Sequence, residues 1–274
     1  MRTEKAMTDK WMETAKVLEN REIAPGIFDL RLETEQIAAA ARPGQFVSVY
    51  CDDASRILPR PISVCGAEGA CLRLVYRTAG AGTKEFSRKQ PGDTLRILGP
   101  LGNGYPLDAA DGKTIVLTGG GIGIPPLLYA ARALCERAKN GGAEGPARIT
   151  AVLGYRGADL FLAEEFKAFG DVFVATEDGS AGTKGTILTC MEENGICPDM
   201  IFACGPAPML RALQEKTARD NTACWISLEE RMACGVGACL SCVCGTKEED
   251  DHSKVHNARV CREGPVFEAG AVII

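Results

Sequence analysis

Two rhythms divide the chain. From about Val17 to Asp93 apolar residues alternate with polar ones, or cluster, over short stretches. These are "FDLRLE" (28–33), "GQFVSVYC" (44–51), "RPISVCG" (60–66), "CLRLVYR" (71–77) and "DTLRILGP" (93–100), with Gly, Pro and Asp between them. Period-two alternation sends successive side chains to opposite faces of a strand. Several such strands at close spacing predict a small antiparallel barrel or sandwich. One helix is expected inside it, near "TKEFSRK" (83–89).

At Lys113 the rhythm changes. "KTIVLT" (113–118) is continuously apolar enough for a buried strand, and a glycine turn and a helix over 127–139 follow it. Further strands are expected at 148–155, 171–177, 200–205 and 223–229, with helices at 160–170, 187–195 and 208–220 between most of them. Strands alternating with helices predict a parallel α/β sheet. The last 45 or so residues hold a cysteine cluster and an acidic stretch, with little regular pattern.

Composition narrows the class. A chain of 274 residues, 46% hydrophobic and 24% charged, can bury two domains and a small appendage. A net charge of -5, with no basic stripe carrying aromatics, gives no nucleic-acid surface. The first residues, "MRTEKAMTDKWMETAK", lack the apolar run of a signal peptide. The most membrane-like segment, 115–134, contains three consecutive glycines, two prolines and Arg132, against a spanning helix. The expectation is a soluble cytoplasmic protein with no membrane partner. Thiols stay reduced there, and 13 cysteines form no even secreted framework.

Four of those cysteines fall within "ACGVGACLSCVC" (233–244). Cys234, Cys239 and Cys242 have the spacing C-x4-C-x2-C, and Cys261 follows in "VCREGPVF". This is the plant-type ferredoxin spacing for a [2Fe–2S] cluster. Gly235, Gly237 and Ala238 keep side chains out of the way, so backbone N–H groups reach the sulfurs and help set the potential. A structural zinc site would use the same four residues, although zinc favours C-x2-C pairs and only Cys239/Cys242 has that spacing among them. Cys244 is close enough in sequence to exchange with a ligand. Cys51, Cys65, Cys71, Cys135, Cys190, Cys197 and Cys224 are expected as core or surface thiols. His252 and His256, spaced i, i+4, lie in the charged "KEEDDHSKVHN" and are expected in a solvated loop.

"TGGGIGIPP" (118–126) lies between a strand and a helix, the context of a dinucleotide phosphate site. The strict G-x-G-x-x-G is absent; from Gly121 the pattern is G-x-G-x-x-P. A tight strand–helix connection would use the same glycines. Pro125 and Pro126 suit a first helical turn. "GKT" (112–114) precedes a strand and is not a P-loop. "CGPAPML" (204–210) places Cys204 at the carboxyl edge of the sheet, where ligands bind in open α/β folds, though a buried cysteine reads the same.

"RPIS" (60–63), "TGGGIGIPP" and "CGP", in that order, resemble the ferredoxin–NADP reductase superfamily. The resemblance implies that Arg60, Pro61, Ile62 and Ser63 hold the FAD phosphate and isoalloxazine ring. Val75, Tyr76 and Arg77 would line the flavin and its pyrophosphate, and Gly82 and Thr83 would offer a helix N-terminus to phosphate. Gly119, Gly120, Gly121 and Gly123, with Cys204, Gly205 and Pro206, would bind the nicotinamide nucleotide. The tail, "SLEERMACGVGACLSCVC" then "CREGPVF", and "GPLGNGYPL" (99–107), resemble the electron-transfer subunit family of type B dihydroorotate dehydrogenase, from about Ala15 to Val272.

That resemblance implies a multidomain β plus α/β fold. Its parts would be an antiparallel flavin-binding β-barrel (11–108), a Rossmann-like parallel-sheet NAD-binding domain (109–224) and a small C-terminal [2Fe–2S] domain (225–274). Cys234, Cys239, Cys242 and Cys261 would be the cluster ligands, and FAD, the cluster and NAD the cofactors. The partner implied is an FMN-containing catalytic subunit that oxidises dihydroorotate in pyrimidine (UMP) biosynthesis, in a heterotetramer of two plus two. No catalytic residue is expected in this chain. Read from the residues, Arg156 would contact a 2′-phosphate, the pyrophosphate or neither, and Asp159 would disfavour the extra phosphate; the family uses NAD. The alternatives are a subunit of a bifurcating NADH–ferredoxin–NADP oxidoreductase or sulfide dehydrogenase and, in a different class, a zinc-stabilised binding protein without redox activity.

Overall fold

A computed structural model describes residues 9–139, 145–249 and 254–274. His252 and Asp250 and Asp251 of the acidic run lie outside the described residues. Six antiparallel strands close a barrel: β1 (Trp11–Ala24), β2 (Ile27–Glu33), β3 (Phe46–Val49), β4 (Arg60–Glu68), β5 (Cys71–Arg77) and β6 (Thr94–Leu101), in the order β1-β2-β5-β4-β3-β6. Two short helices, α1 (Ile37–Ala40) and α2 (Ala81–Phe86), add Ile37, Ala38 and Phe86 to its core. Alternate residues fill the interior: Ala15 and Val17, Leu30 and Leu32, Val47 and Val49, Leu72 and Leu74, Leu95 and Ile97. The expected strands are all present. The sequence pattern missed β1, which pairs with both β2 and β6 and closes the barrel. Of its 14 residues only Ala15 and Val17 are buried, so its hydrophobic signal is thin.

The second unit alternates as expected: β7 (Thr114–Gly120), α3 (Ile124–Lys139), β8 (Arg148–Tyr155), α4 (Ala163–Phe166), β9 (Asp171–Thr176), β10 (Thr183–Lys184), α5 (Ile187–Glu193), β11 (Met200–Cys204), α6 (Ala207–Asp220) and β12 (Ala223–Ser227). The helix expected over 160–170 shrinks to Ala163–Phe166. Leu162 has a left-handed backbone (φ 65°) that blocks an earlier start, and the segment beyond it is closed by i to i+3 hydrogen bonds.

The tail is more regular than its sequence indicates. It forms β13 (Val243–Thr246), β14 (Asn257–Arg259), β15 (Val266–Glu268) and β16 (Val272–Ile273). Strand β13 lies between β14 and β16 in a small sheet, while β15 joins the large sheet antiparallel to β12, giving the order β10-β9-β8-β7-β11-β12-β15. Strands of two to four residues are too short for a periodicity to show. Strand β12 runs through Ser227, so the boundary expected after residue 224 falls inside a hydrogen-bonded strand.

The three parts share their cores. Cys65 and Val75 of the barrel, Leu117 and Phe202 of the sheet, and Val266 of the tail belong to one buried cluster. Tyr105 bridges them, stacking on Phe202 at 4.8 Å and donating to the Ala203 carbonyl at 3.0 Å. Asn103 ties the barrel exit to the tail. Its Nδ2 donates to the carbonyls of Glu263 and Val266 at 2.8 Å each, and its Oδ1 accepts the Val266 N–H at 2.9 Å. Replacing Asn103 with Ala removes all three bonds and is expected to destabilise the chain by about 1–3 kcal/mol. Urea denaturation checks this, with proteolysis of the tail alongside; an unchanged midpoint and an unchanged cleavage rate would show that the tail is held by other means.

Candidate functional site

Chain order determines where a crevice opens in the large sheet. From β7 the chain builds outward through β8, β9 and β10, then returns to place β11 and β12 on the other side. The switch point is therefore between β7 and β11, and ligands of such sheets bind beyond the carboxyl ends of the strands there. In this structure those ends are the two motifs, with Gly119 directly opposite Cys204. Here the glycines are demanded by close packing. A Cβ on Gly123 would lie 2.3 Å from the Cys204 carbonyl oxygen, and one on Gly120 would lie 2.8 Å from Met209 Sδ. Gly121 adds a positive φ of 54°. After one 3-10 turn, in which the Ile124 N–H donates to the Gly121 carbonyl, α3 starts at Ile124 with Pro125 and Pro126, which carry no N–H, in its first turn. Gly119, Gly120, Gly121, Gly123, Cys204, Gly205 and Pro206 are thus brought together. Burial pushes the Cys204 thiol far up, so it stays neutral.

On the barrel, Arg60 and Gly82 are in direct contact: a Cβ on Gly82 would collide with the Arg60 guanidinium. Thr83 is buried and ties down the turn before α2. Its Oγ accepts N–H groups of Ala79 at 2.9 Å and Gly80 at 3.1 Å. Ile62 packs on the barrel core, and Ser63 pairs with Phe46 across β3 and β4. Arg77 reaches the other unit, its Nη2 3.3 Å from the place of a Cβ on Gly121. Two expected site residues turn their side chains elsewhere. Tyr76 is inside the barrel, stacked on Phe28 at 5.8 Å and edge-on to Phe86 at 6.2 Å. Val75 is buried in the core shared between units. Strand alternation explains Tyr76, which faces opposite to Val75 and Arg77; Val75 shares the face of Arg77 but is taken up by the core between the units.

Glu229 was not singled out from the sequence. It follows β12 in an open cleft of about 440 Å³ lined also by Gly205, Pro206, Leu228 and Cys244. Desolvation there pushes its carboxyl up, with the Arg77 guanidinium pulling the other way. Its only signal was its place just past a strand end at the carboxyl edge of the sheet.

The cysteine loop wraps around its own first thiol. Cys234 Sγ accepts N–H groups of Val236, Ala238 and Cys239 at 3.5, 3.3 and 3.4 Å. Positive φ values at Gly235 (68°), Gly237 (86°) and Leu240 (59°) make this curl possible. Burial works against the Cys234 thiolate, but these donors and the Cys239 thiol bring it down to about 6. Cys242 and Cys261 are buried, and the Cys261 N–H donates to Cys242 Sγ at 3.5 Å. Burial and the Cys242 sulfur push Cys261 up to about 12. The four thiols come as two facing pairs, 234 with 239 and 242 with 261. Among the described residues no three Cys, His, Asp or Glu gather about a single-ion site. Two pairs of thiols with N–H groups aimed at sulfur fit a two-iron, two-sulfide core, which takes four thiolates and hydrogen bonds to its sulfurs. Cys244 lies opposite Ala258 in the β13–β14 ladder, packed against a hydrophobic core, and burial pushes its thiol up to about 11.

The cysteine loop also touches the barrel. A Cβ on Gly235 would lie 2.9 Å from Ser48 Oγ and 3.3 Å from Leu101 Cδ1. Ser48 is the cross-strand partner of Pro61, the second residue of "RPIS".

A closed antiparallel barrel joined to a parallel sheet with this switch-point crevice defines the ferredoxin–NADP reductase class of fold. A ferredoxin NADP+ reductase from Neisseria gonorrhoeae, solved with bound FAD and NADP, shares that fold at a TM-score of 0.64 and 18% identity, covering 77% of this chain and 92% of that one. A structure of an NADH-dependent reduced ferredoxin–NADP oxidoreductase, described for flavin-based electron bifurcation, aligns with a TM-score of 0.82 and 29% identity over 95% of this chain and 90% of that one. Residues 229–273 match the iron-sulfur cluster binding domain of dihydroorotate dehydrogenase B. The dihydroorotate dehydrogenase B (NAD(+)) electron transfer subunit of Bacillus caldolyticus is 43% identical over 96% of this chain and 98% of its own length. That of Caldanaerobacter subterraneus is 40% identical over 96% and 99%. The chain belongs to this family of dihydroorotate dehydrogenase B electron transfer subunits.

In the metal-free protein the thiolate of Cys234 is expected to predominate at pH 7, because three backbone N–H groups donate to its sulfur. Its alkylation by iodoacetamide is expected to rise with pH about a midpoint near 6, while Cys261 stays unreactive until the chain unfolds. Mass spectrometry of the labelled peptides checks this; equal labelling of both thiols at pH 7 would contradict it.

Proposed function

We propose that this chain is the electron conduit of a dihydroorotate dehydrogenase, accepting electrons from an FMN-bearing catalytic subunit and delivering them to NAD+ in pyrimidine synthesis. Cys234, Cys239, Cys242 and Cys261 hold a [2Fe–2S] cluster. Arg60, Pro61, Ile62 and Ser63 hold FAD, with Arg77, Gly82, Thr83 and the backbone at Val75 and Tyr76. Gly119, Gly120, Gly121 and Gly123, with Cys204, Gly205 and Pro206, hold NAD. When bound, FAD exchanges a hydride with nicotinamide and single electrons with the cluster, which is the chemistry these groups supply.

The observation that carries this reading is the position of "RPIS" between two contacts. On one side Ser48, the partner of Pro61, meets the cysteine loop at Gly235; on the other, Arg77 meets the nucleotide turn at Gly121. The protein's task is to fix that order and keep each site shaped. The Arg77 guanidinium beside the Gly121 turn offers positive charge to phosphates, and the neutral Cys204 thiol closes the crevice. The barrel, sheet and tail are assigned to residues 11–108, 109–224 and 225–274, with β12 shared at the last boundary. We further place the chain in the cytoplasm, in a two-plus-two heterotetramer, with NAD preferred over NADP. Relatives named NAD(+) subunits, about 40% identical over almost the whole chain, favour this over a bifurcating complex.

The test is an absorption spectrum of protein purified without oxygen, before and after NADH, with iron, zinc and acid-labile sulfide assayed. Flavin and iron–sulfur bands that both bleach with NADH are expected. A colourless zinc protein indifferent to NADH, with cofactor loss excluded, would overturn the reading. Cys239 is exposed, so Cys239→Ala leaves the core intact. It is expected to lose the cluster and keep its flavin; an unchanged cluster spectrum would show that the ligand set is wrong.

A further inference from the structure

Strand β3 has two faces. Val47 and Val49 point into the barrel core, whereas Phe46 and Ser48 face outward to the tail. Phe46 does what that position asks. With Leu101 it joins an apolar cluster that includes Cys242, Val260 and Cys261. Ser48 does not. It is 1% exposed, and its hydroxyl has no hydrogen-bond partner among the described residues. A buried hydroxyl without a partner opposes folding, and nearly all buried polar groups have one. Alanine would fill the same space without that cost.

The direction of the hydroxyl is set by its neighbour. Gly235 follows Cys234, and a Cβ there would come within 2.9 Å of Ser48 Oγ. The missing side chain therefore leaves the hydroxyl facing the loop that carries the first thiol. Cys234 Sγ already accepts three backbone N–H groups from within the loop. Ser48 approaches the loop from the barrel, on strand β3 opposite Pro61 of the flavin motif.

We propose that Ser48 is a positioning residue whose hydroxyl donates a hydrogen bond to a sulfur of the [2Fe–2S] cluster, on the side that faces the flavin. The inference rests on the cluster reading above. A donor to sulfur stabilises the more negative, reduced cluster and so raises its reduction potential. The bond also explains why a costly hydroxyl occupies an apolar face: its partner belongs to the cluster.

The experiment uses the full-length chain with its cofactors in place. Cluster and flavin potentials are titrated separately by electron paramagnetic resonance and absorbance in wild type, Ser48→Ala and Ser48→Thr. Ser48→Ala is expected to make one-electron reduction of the cluster about tenfold less favourable, about 59 mV lower, with iron and sulfide content unchanged. Ser48→Thr, which keeps the hydroxyl, is expected to recover most of that shift. An exchangeable proton coupled to the reduced cluster is expected in wild type and absent from Ser48→Ala. An unchanged cluster potential in Ser48→Ala would overturn the proposal even if Ser48→Thr fails to fold. So would a shift confined to the flavin, which would assign the hydroxyl to the isoalloxazine. Wild-type protein without iron and sulfide would overturn the cluster reading itself, and this inference with it.

Discussion

The carboxamide of Asn103 is the interaction on which the arrangement of this molecule most depends. It satisfies both backbone groups of Val266 and the carbonyl of Glu263, so the segment after Cys261 is held against the barrel exit. The same segment supplies β15, which pairs with β12 and extends the nucleotide-side sheet. One side chain thus holds in place a strand shared by two parts of the fold. The close fit also accounts for the glycines beside Asn103. A Cβ on Gly102 would lie 2.5 Å from Pro265, and Gly102 has a φ of 72° that L side chains rarely adopt. "GPLGNGYPL" is a docking motif for the tail, with Tyr105 doing the same for β11.

The cysteine loop combines two demands that conflict in most proteins. A two-iron core carries charge and needs donors, whereas electron transfer needs the site close to other carriers and shielded from bulk water. The structure divides the work. Cys242 and Cys261 are buried in the apolar cluster beneath the barrel, while Cys234 is half-buried and Cys239 is exposed. Donors are concentrated on Cys234, which is why its thiolate is favoured while burial opposes that of Cys261. Cys239 and Leu240 form the exposed edge of the site.

The strands that sequence revealed best are those with the simplest burial. Strand β8 is buried over almost its whole length, and its apolar run marks its limits at Arg148 and Tyr155. Strand β5 was as plain. Strand β1 was not, because it pairs on both sides yet buries only two residues, and pairing leaves no mark on composition. The tail strands were hidden for a different reason: β15 and β16 are held by side chains far away in sequence, Asn103 and Gln214, whose Nε2 donates to the Val272 carbonyl at 2.8 Å. The site followed the same division. Spacing and context marked four cysteines, which the structure sets as two thiol pairs, and motif context marked the two glycine-rich edges. The inward turn of Tyr76 follows from strand alternation within the barrel, whereas the proximity of Arg77 to Glu229 and the unpaired hydroxyl of Ser48 depend on contacts between units, which no local pattern encodes.

The state of the thiols separates two kinds of cysteine in this chain. Cys204 has the position of a reactive group, at the strand end where the crevice opens. Burial nevertheless keeps it protonated, with the nearby carboxylate of Glu229 acting in the same direction. A thiol in that state is a poor nucleophile. Its backbone explains its place better: the Cys204 carbonyl lies so close under Gly123 that no side chain fits between them. Cys204 therefore seals the switch point, just as the glycines opposite it let the chain pass. Cys234 is the reverse, a thiol gathered into N–H donors and ready to bear charge. The chain separates these roles by local backbone geometry, and its contribution to the reaction is to hold carriers in order with sites of matched polarity.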